Sequence, residues 1–185
     1  MKLPERSNNL FPLICIFCAL FISGCRNSDP PDENRKLSAD QLMDINRQLL
    51  IKDKERIENY IIRKDLKMEM TASGLWYSVL SKGEGEILSE GSEATLEYVC
   101  RLLDGTKCYS SETDGLLKVI IGKTEMPAGL NEGLRLLTYG SEAFFIIPSY
   151  LGYGLMGDGK MIPARAVLTY EVKVVENGLS GLHDF

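Results

Sequence analysis

Histidine and tryptophan are almost missing from this 185-residue chain, which contains one residue of each. The histidine is His183, close to the end of the chain, so a histidine-based catalytic triad or a histidine-rich zinc site would have to be built there. Both chemistries are almost excluded. Basic residues are also in deficit, with 21 Lys and Arg against 26 Asp and Glu. Because nucleic-acid binding needs a basic face, we expect no nucleic-acid partner.

The chain also has no apolar run long enough to remain in a bilayer as a helix. The longest run, residues 10–22, has 13 residues, whereas about 20 are needed to span the hydrocarbon core. It follows Lys2 and Arg6 and precedes two small residues, which is the layout of a cleaved signal peptide. We therefore expect residues 1–24 to direct export.

Residues 22–25 read Ile-Ser-Gly-Cys and resemble the bacterial lipobox, in which the cysteine takes up diacylglycerol. The resemblance implies cleavage before Cys25, lipidation of its thiol, and an anchor in a membrane of the cell envelope with the protein facing the periplasm. The alternative is an ordinary secretory signal whose cleavage site happens to precede a cysteine.

A polar segment and a long helix are predicted next. Residues 25–36 contain adjacent prolines and few apolar residues, which is typical of a flexible tether. Within residues 37–69, Ser38 and Gln41 fit a capping box, and neither glycine nor proline interrupts residues 38–64. An apolar stripe recurs there at helical spacing, at Leu42, Ile45, Leu49, Leu50, Ile57, Tyr60 and Ile61. Such a helix is a spacer, an arm that joins two copies into a homodimer, or an element packed on its own domain.

From Met70 onward the apolar spacing becomes that of strands separated by glycine-rich turns. The predicted strands are Leu75–Leu80, Ala94–Leu102, Leu117–Ile121, Ala143–Ile147 and Val167–Val175, with a short helix at Leu130, Leu134 and Leu137. We predict an α+β domain over residues 70–176, with an antiparallel sheet wrapped on one short helix. Residues 177–185 form a tail that we expect to be unordered. Trp76 is out of phase with its strand neighbours and should pack outside the pocket, under the long helix.

Five segments of this domain carry a resemblance to a known family. They are the hairpin from Tyr98 through Asp104-Gly105 to Ser110-Ser111, the stretch from Gly122 to Leu134, Gly140, the segment from Pro148 to Gly154, and the block from Ile162 to Val172. In this order and spacing they resemble the FKBP family of peptidyl-prolyl cis-trans isomerases. With residues 57–77 and the lipobox, the architecture is similar to exported FKBPs of the macrophage infectivity potentiator type and to FKBP-type lipoproteins associated with gliding motility.

The chemistry that the resemblance implies needs neither metal nor organic cofactor. Rotation about a prolyl amide has a barrier of about 18–20 kcal/mol because amide resonance must be lost, but it requires no covalent bond and no proton transfer. An apolar pocket that removes the amide from water, with a hydrogen-bond donor for an adjacent carbonyl, can lower that barrier. The implied substrates are proline-containing polypeptides.

The resemblance places Tyr98, Tyr153, Ile162 and Tyr170 in the pocket lining, with Tyr170 in place of the usual phenylalanine. Tyr153 is the best candidate for the donor to the bound carbonyl, and Tyr98 is the second candidate catalytic residue. Each tyrosine taken alone could instead be a half-buried residue of the sheet with its hydroxyl at the surface.

Several pocket positions depart from the family pattern. Cys108-Tyr109 replaces the usual Phe-Asp pair, so the carboxylate that polarises the pocket is absent from that position. Met126-Pro127 lacks a backbone donor, because proline has no N–H. Leu130 replaces the tryptophan of the pocket floor, and Leu117 replaces an aromatic side chain. We therefore predict a larger or differently shaped pocket and reduced turnover.

The cysteines give a separate prediction. On the lipobox resemblance, Cys15 and Cys18 would leave with the signal peptide and Cys25 would be lipidated, which leaves Cys100 and Cys108 on opposite arms of the Asp104-Gly105 turn. In an exported protein they could form a disulfide if their Cα atoms lie near 5.5 Å apart. They could equally be two free, buried thiols that pack as small hydrophobic groups.

Two functions remain for the structure to address. The first is an exported, lipid-anchored FKBP-type isomerase that assists the folding of envelope proteins, those of the gliding-motility machinery among them. The second is a catalytically weak or inactive binding module or chaperone on the same fold. The pocket tyrosines favour the first function, and the substitutions at positions where the pocket differs from the family pattern favour the second. We take the enzyme as the working prediction.

Overall fold

The computed structural model describes residues 38–175. Its first element is helix α1, Ala39–Lys64, which runs for 26 residues because no proline or glycine interrupts it. The helix ends in a Schellman motif: Asp65 adopts a positive φ of 51°, and the Leu66 N–H donates to the Ile61 carbonyl at 3.1 Å. The predicted signal peptide with Cys25, the tether over residues 25–36 and the C-terminal tail lie outside the described residues.

The strands and shorter helices follow α1 along the chain. The strands are β1 (Glu69–Met70), β2 (Trp76–Ser81), β3 (Glu93–Leu102), β4 (Lys107–Ser110), β5 (Leu117–Ile120), β6 (Glu142–Ile147) and β7 (Leu168–Val175). The helices are α2 (Ser111–Asp114), α3 (Ala128–Leu134) and a 3₁₀ turn over Ser149–Leu151. The segment between this turn and β7, residues 152–167, is called the flap loop below.

All strand pairings in the described sheet are antiparallel, in the order β1-β2-β6-β7-β3-β4. Strand β3 is long enough to pair with β7 along one edge and with two short strands along the other. Its first half, Glu93–Leu96, pairs with β5, and its second half, Val99–Arg101, pairs with β4. The predicted α+β class with an antiparallel sheet is confirmed.

The main core lies between the inner face of the sheet and helix α3. Leu130 and Leu134 of α3 are buried against this face together with Phe145 of β6. Gly133 allows the close approach, because a Cβ atom there would lie 2.8 Å from the Phe145 ring. The helix therefore packs directly on the centre of the sheet.

A second, smaller core joins α1 to the outer face of the same sheet. Ile57 is 1% exposed and packs with Ile146 and Val167, and Trp76 covers this cluster. The position predicted for Trp76, outside the pocket and under the long helix, is confirmed. Only the second half of α1 is buried in this way, since Ile45 and Leu50 of the predicted apolar stripe are 38% and 46% exposed.

A buried carboxylate adds a polar contact at the same helix. Asp53 of α1 accepts hydrogen bonds from the backbone N–H of Ser149 at 3.0 Å and from the Ser149 hydroxyl. Arg56, one turn further along α1, lies 3.8 Å from the other Asp53 oxygen. Asp53 thus attaches the helix to the 3₁₀ turn that precedes the flap loop. In the part of the chain that the structure describes, no helix is both long and apolar enough to cross a membrane.

Candidate active site

The residues predicted for the site come from β3, β4, β5, β7, α3, the segment before α3 and the flap loop, and apart from Pro127 they belong to the main core or pack against it. The buried members are Cys100, Cys108, Leu130, Ile162 and Tyr170; the half-buried side chains packed against the same core include Tyr98, Tyr109, Leu117, Met126 and Tyr153. Pro127 is buried beside them at the start of α3. The structure therefore brings together side chains that are more than seventy residues apart in the sequence, from Tyr98 to Tyr170.

The centre of the site is formed by β3 and β7. Cys100 is paired directly with Tyr170 in the register of the two strands, while Tyr98 lies diagonally opposite Tyr170. The two tyrosine rings are stacked at an angle of 25°, with centroids 6.5 Å apart. The result is an aromatic surface on the inner face of the sheet.

The hydroxyl groups of this centre are held in the protonated form. Burial strongly raises the pKa of Tyr170, and the adjacent Cys100 thiol and Tyr153 hydroxyl raise it further. Burial also raises the pKa of Tyr153 and of Tyr98. At neutral pH each hydroxyl therefore keeps its proton.

Tyr153 reaches the site because the start of the flap loop is tightly bonded. The Gly154 N–H donates to the Ser149 carbonyl at 2.8 Å, and the Gly154 carbonyl accepts from the Arg165 N–H at 2.9 Å. Gly154 itself has a φ of 61°, a conformation that L side chains rarely adopt. These bonds close the base of the loop beside Tyr153.

A carboxylate does reach the site, from a residue that the sequence reasoning missed. Asp158, at the tip of the flap loop, accepts a hydrogen bond from the Tyr109 hydroxyl. Positions 108 and 109 themselves supply no carboxylate, as expected, and the folded chain places the Asp158 carboxylate against Tyr109 instead. The local signal is the Gly157-Asp158-Gly159 sequence, in which one acidic residue stands between two glycines.

The two cysteines of the domain are free thiols. The strand register pairs Cys100 with Tyr109 rather than with Cys108, because the ladder shifts at a bulge between Cys100 and Arg101. Burial raises the pKa of Cys100 to about 12 and raises that of Cys108 as well. Of the two alternatives left open above, the structure has the free, buried thiols.

The floor of the site lies at the start of α3. Leu130 is 2% exposed, and Met126 packs against the same core. Pro127 is the residue before the helix, and its carbonyl accepts from the Asn131 N–H at 3.0 Å. Its ring nitrogen has no proton, so no backbone donor is available at this position. Among residues 38–175, no group of three or more His, Cys, Asp and Glu side chains could hold a metal ion.

Comparisons with known proteins all point to one family. The model for FKBP-type peptidyl-prolyl cis-trans isomerase matches residues 85–175. The FK506-binding protein of Neisseria meningitidis serogroup B is 34% identical over 104 residues, which are 56% of this chain and 95% of that protein. The probable FKBP-type peptidyl-prolyl cis-trans isomerase FkpA of the same organism is 38% identical over 128 residues, which are 68% of this chain and 47% of that protein. The chain thus spans about half the length of its FkpA relatives.

Solved structures show the same fold. The crystal structure of FkpA from Escherichia coli has a TM-score of 0.59 at 22% identity, over 76% of this chain and 73% of that chain. The crystal structure of AtFKBP13 has a TM-score of 0.57 at 25% identity, over 60% of this chain and 99% of that chain.

Proposed function

The chain belongs to the FKBP-type peptidyl-prolyl cis-trans isomerase family, and we propose that its α+β domain catalyses the cis-trans isomerisation of prolyl bonds in polypeptides. One observation carries the proposal. The stacked rings of Tyr98 and Tyr170, the hydroxyl of a third tyrosine, Tyr153, and buried apolar side chains of the main core converge on the inner face of the sheet, beside a closed loop. This is the environment that the reaction requires.

The proposed mechanism uses desolvation and one hydrogen bond. The proline ring enters between the aromatic side chains and the apolar floor, and the amide before it loses contact with water. Because the planar amide is more charge-separated than the twisted one, removing water disfavours the planar form and lowers the rotational barrier. The Tyr153 hydroxyl donates to a carbonyl of the bound peptide and holds it while the amide rotates. No proton is transferred and no covalent bond forms.

The test compares Tyr153→Phe with the unaltered protein in a protease-free isomerisation assay on proline peptides, using residues 26–185. We expect kcat/KM to fall roughly threefold to tenfold, which corresponds to the loss of one net hydrogen bond. Tyr139→Phe is the matched control, because the Tyr139 hydroxyl donates to the Glu93 carbonyl away from the site. Equal rates for Tyr153→Phe and the control would remove Tyr153 as the donor; no catalysis by the folded, unaltered protein would refute the enzymatic function.

We further propose that the protein is exported and anchored through lipid on Cys25, facing the periplasm, where it assists the folding of envelope proteins such as those of gliding motility. The support is the apolar run and the lipobox-like residues 22–25. Metabolic labelling with a radioactive fatty acid should mark the unaltered protein and not Cys25→Ser. Label retained by Cys25→Ser would refute the anchor.

A groove beside α1 supports the second candidate function, that of a binding module. It has a volume of about 510 Å³ and is lined mainly by apolar side chains of α1 and the domain, among them Ile51, Ile57, Met70 and Trp76. A chaperone role would use this groove rather than the prolyl pocket. Suppression of client aggregation by Tyr153→Phe, at the level of the unaltered protein, would support it.

The exposed half of α1 supports a homodimer. Met43, Leu50 and Ile51 are 62%, 46% and 50% exposed, which is unusual for large apolar residues on one helix. The molar mass of residues 26–185, measured by light scattering across a concentration series, decides the matter. A monomer mass at every concentration would refute pairing through this helix.

A further inference from the structure

The tip of the flap loop is joined to the sheet by two adjacent residues of β4. The Tyr109 hydroxyl donates to Oδ2 of Asp158. The Cys108 thiol lies 3.8 Å from the Met161 carbonyl oxygen, within hydrogen-bond distance for sulfur. Cys108 and Tyr109 are the residues that replace the usual Phe-Asp pair, so the departure from the family pattern coincides with the attachment point of the loop.

Asp158 links this attachment to the backbone of the loop. While Oδ2 faces Tyr109, Oδ1 accepts from the N–H groups of Lys160 and Ile162, each at 2.8 Å. The Asp158 N–H in turn donates to the Ile162 carbonyl at 3.1 Å. The carboxylate therefore closes a five-residue turn and fastens it to β4 at the same time.

The turn places Ile162 in the candidate site. Ile162 is 2% exposed and belongs to the core cluster that contains Leu130 and Tyr170. Its neighbours in the loop, Met156 and Met161, are 86% and 52% exposed. Gly157 has a φ of 69°, and a Cβ atom there would overlap the Ile162 carbonyl. Ile162 is thus a buried residue in a loop that has few other buried side chains.

We propose that the hydrogen-bonded pair of Tyr109 and Asp158, called the clasp below, consists of positioning residues that hold Ile162 against the bound proline ring and thereby set the affinity for substrate. The proposal rests on the prolyl isomerase function proposed above. The carboxylate that the family has next to the pocket on β4 is here supplied by the opposite loop, and the tyrosine on β4 is its partner. The clasp therefore places a carboxylate beside the pocket and also holds the flap loop against it.

The charge states of both partners favour the clasp at neutral pH. The hydrogen bond to Asp158 raises the pKa of Tyr109 to about 12, so the hydroxyl keeps its proton. Burial opposes ionisation of Asp158, but the hydrogen bonds from Tyr109 and from the backbone of Ile162 and Lys160 outweigh it and lower its pKa. A protonated donor thus meets an ionised acceptor, which is the stronger type of hydrogen bond.

The first test is amide hydrogen exchange, which does not depend on enzymatic activity. In Tyr109→Phe the Asp158 carboxylate loses its donor on β4, and we expect exchange at the Ile162 and Lys160 amides to become about tenfold faster. Amides of β3 and β7 should keep their rates. The matched control is Tyr77→Phe, because Tyr77 also donates to a carboxylate, that of Glu69, at 2.7 Å, and it lies on β2, whose neighbours in the sheet are β1 and β6. Unchanged exchange at Ile162 would overturn the clasp.

The second test is a double-mutant cycle in the isomerisation assay with Tyr109→Phe, Asp158→Asn and both together. We expect each single variant to raise KM about fivefold to tenfold with a smaller change in kcat, and the double variant to be no worse than the singles. A merely structural role would lower the fraction of folded protein and leave KM unchanged. Multiplicative effects of the two substitutions, or unaltered KM in both single variants, would contradict the proposal.

The two tests distinguish failure of the clasp proposal from failure of the isomerase function on which it rests. If the unaltered protein does not catalyse isomerisation, the proposed function fails, and exchange at Ile162 still decides whether the clasp holds the loop. If catalysis is present and KM is unaltered in the variants, the enzymatic function stands and the clasp as an affinity determinant is refuted.

Discussion

At the scale of single residues, the buried carboxylate of Asp53 shows how one side chain connects two parts of the fold. Its side chain is 8% exposed and accepts from both the N–H and the hydroxyl of Ser149. Buried acidic side chains are rarely tolerated without partners, and here both donors come from the residue that begins the 3₁₀ turn before the flap loop. The helix and the loop that carries Tyr153 are therefore connected through Asp53.

Asp53→Ala should lower the free energy of unfolding by about 1–3 kcal/mol, because the Ser149 N–H would lose its acceptor in a buried position. Asp53→Asn should cost less, since its amide oxygen can still accept. Asp44→Ala, at an exposed position of the same helix, is the control. Urea denaturation followed by Trp76 fluorescence measures all three. Equal stability of Asp53→Ala and Asp44→Ala would show that the Ser149 contact contributes nothing.

At the scale of elements, α1 combines two kinds of surface in one helix. Its second half is docked on the outer face of the sheet through Ile57, Tyr60 and Ile61, while its first half keeps apolar residues exposed. Whether an apolar residue of α1 is buried or exposed depends on its position along the helix, because the sheet lies under only part of the length of α1. The apolar stripe alone could not distinguish the two halves.

Ile57→Ala should weaken the docking of α1 by about 2–4 kcal/mol, from lost burial and the cavity left next to Ile146 and Val167. Ile62→Ala is the matched control, because Ile62 is on the same helix but 75% exposed. Trp76 fluorescence and limited proteolysis of α1 should respond to Ile57→Ala alone. Proteolysis at the same rate in both variants would contradict docking through Ile57.

At the scale of the whole molecule, the buried hydroxyl and thiol groups of the site link stability to alkaline pH. The pKa of Cys100 is raised by burial to about 12, that of Tyr109 to about 12 by its bond to Asp158, and that of Tyr170 rises through burial. Each group holds its proton more tightly in the folded state than in the unfolded chain. Their contribution to stability is therefore complete below the ordinary pKa values of about 9 to 10 and is lost as the pH rises toward 12.

The free energy of unfolding should accordingly be flat from pH 7 to about 8.5 and fall progressively above about pH 9. Tyr170→Phe should show a shallower decline, because the most strongly shifted of these protons is no longer present. Guanidinium denaturation at a series of pH values measures the slope. Parallel slopes for Tyr170→Phe and the unaltered protein would contradict the assignment of this loss to Tyr170.

The regular elements were predictable because their signals are local. The absence of proline and glycine from residues 38–64 predicted α1, and apolar alternation with glycine-rich turns predicted the longer strands, which the structure has within a residue or so of the expected bounds. Short elements were missed: β1 has 2 residues and α2 has 4, too few to show a period. β1 exists as a strand because it pairs with β2.

The sequence alone thus determined the antiparallel α+β fold, the long helix and the family, since periodicity, turns and the spacing of motifs are properties of the chain in order. The tertiary structure alone decided which groups meet: Asp158 with Tyr109, Asp53 with Ser149, and Cys100 opposite Tyr109 rather than Cys108. These contacts depend on a loop path and on a bulge in the β3–β4 ladder. A bulge or a closed loop is stabilised by many distant contacts at once, and so no local pattern of residues specifies the neighbours that it brings together.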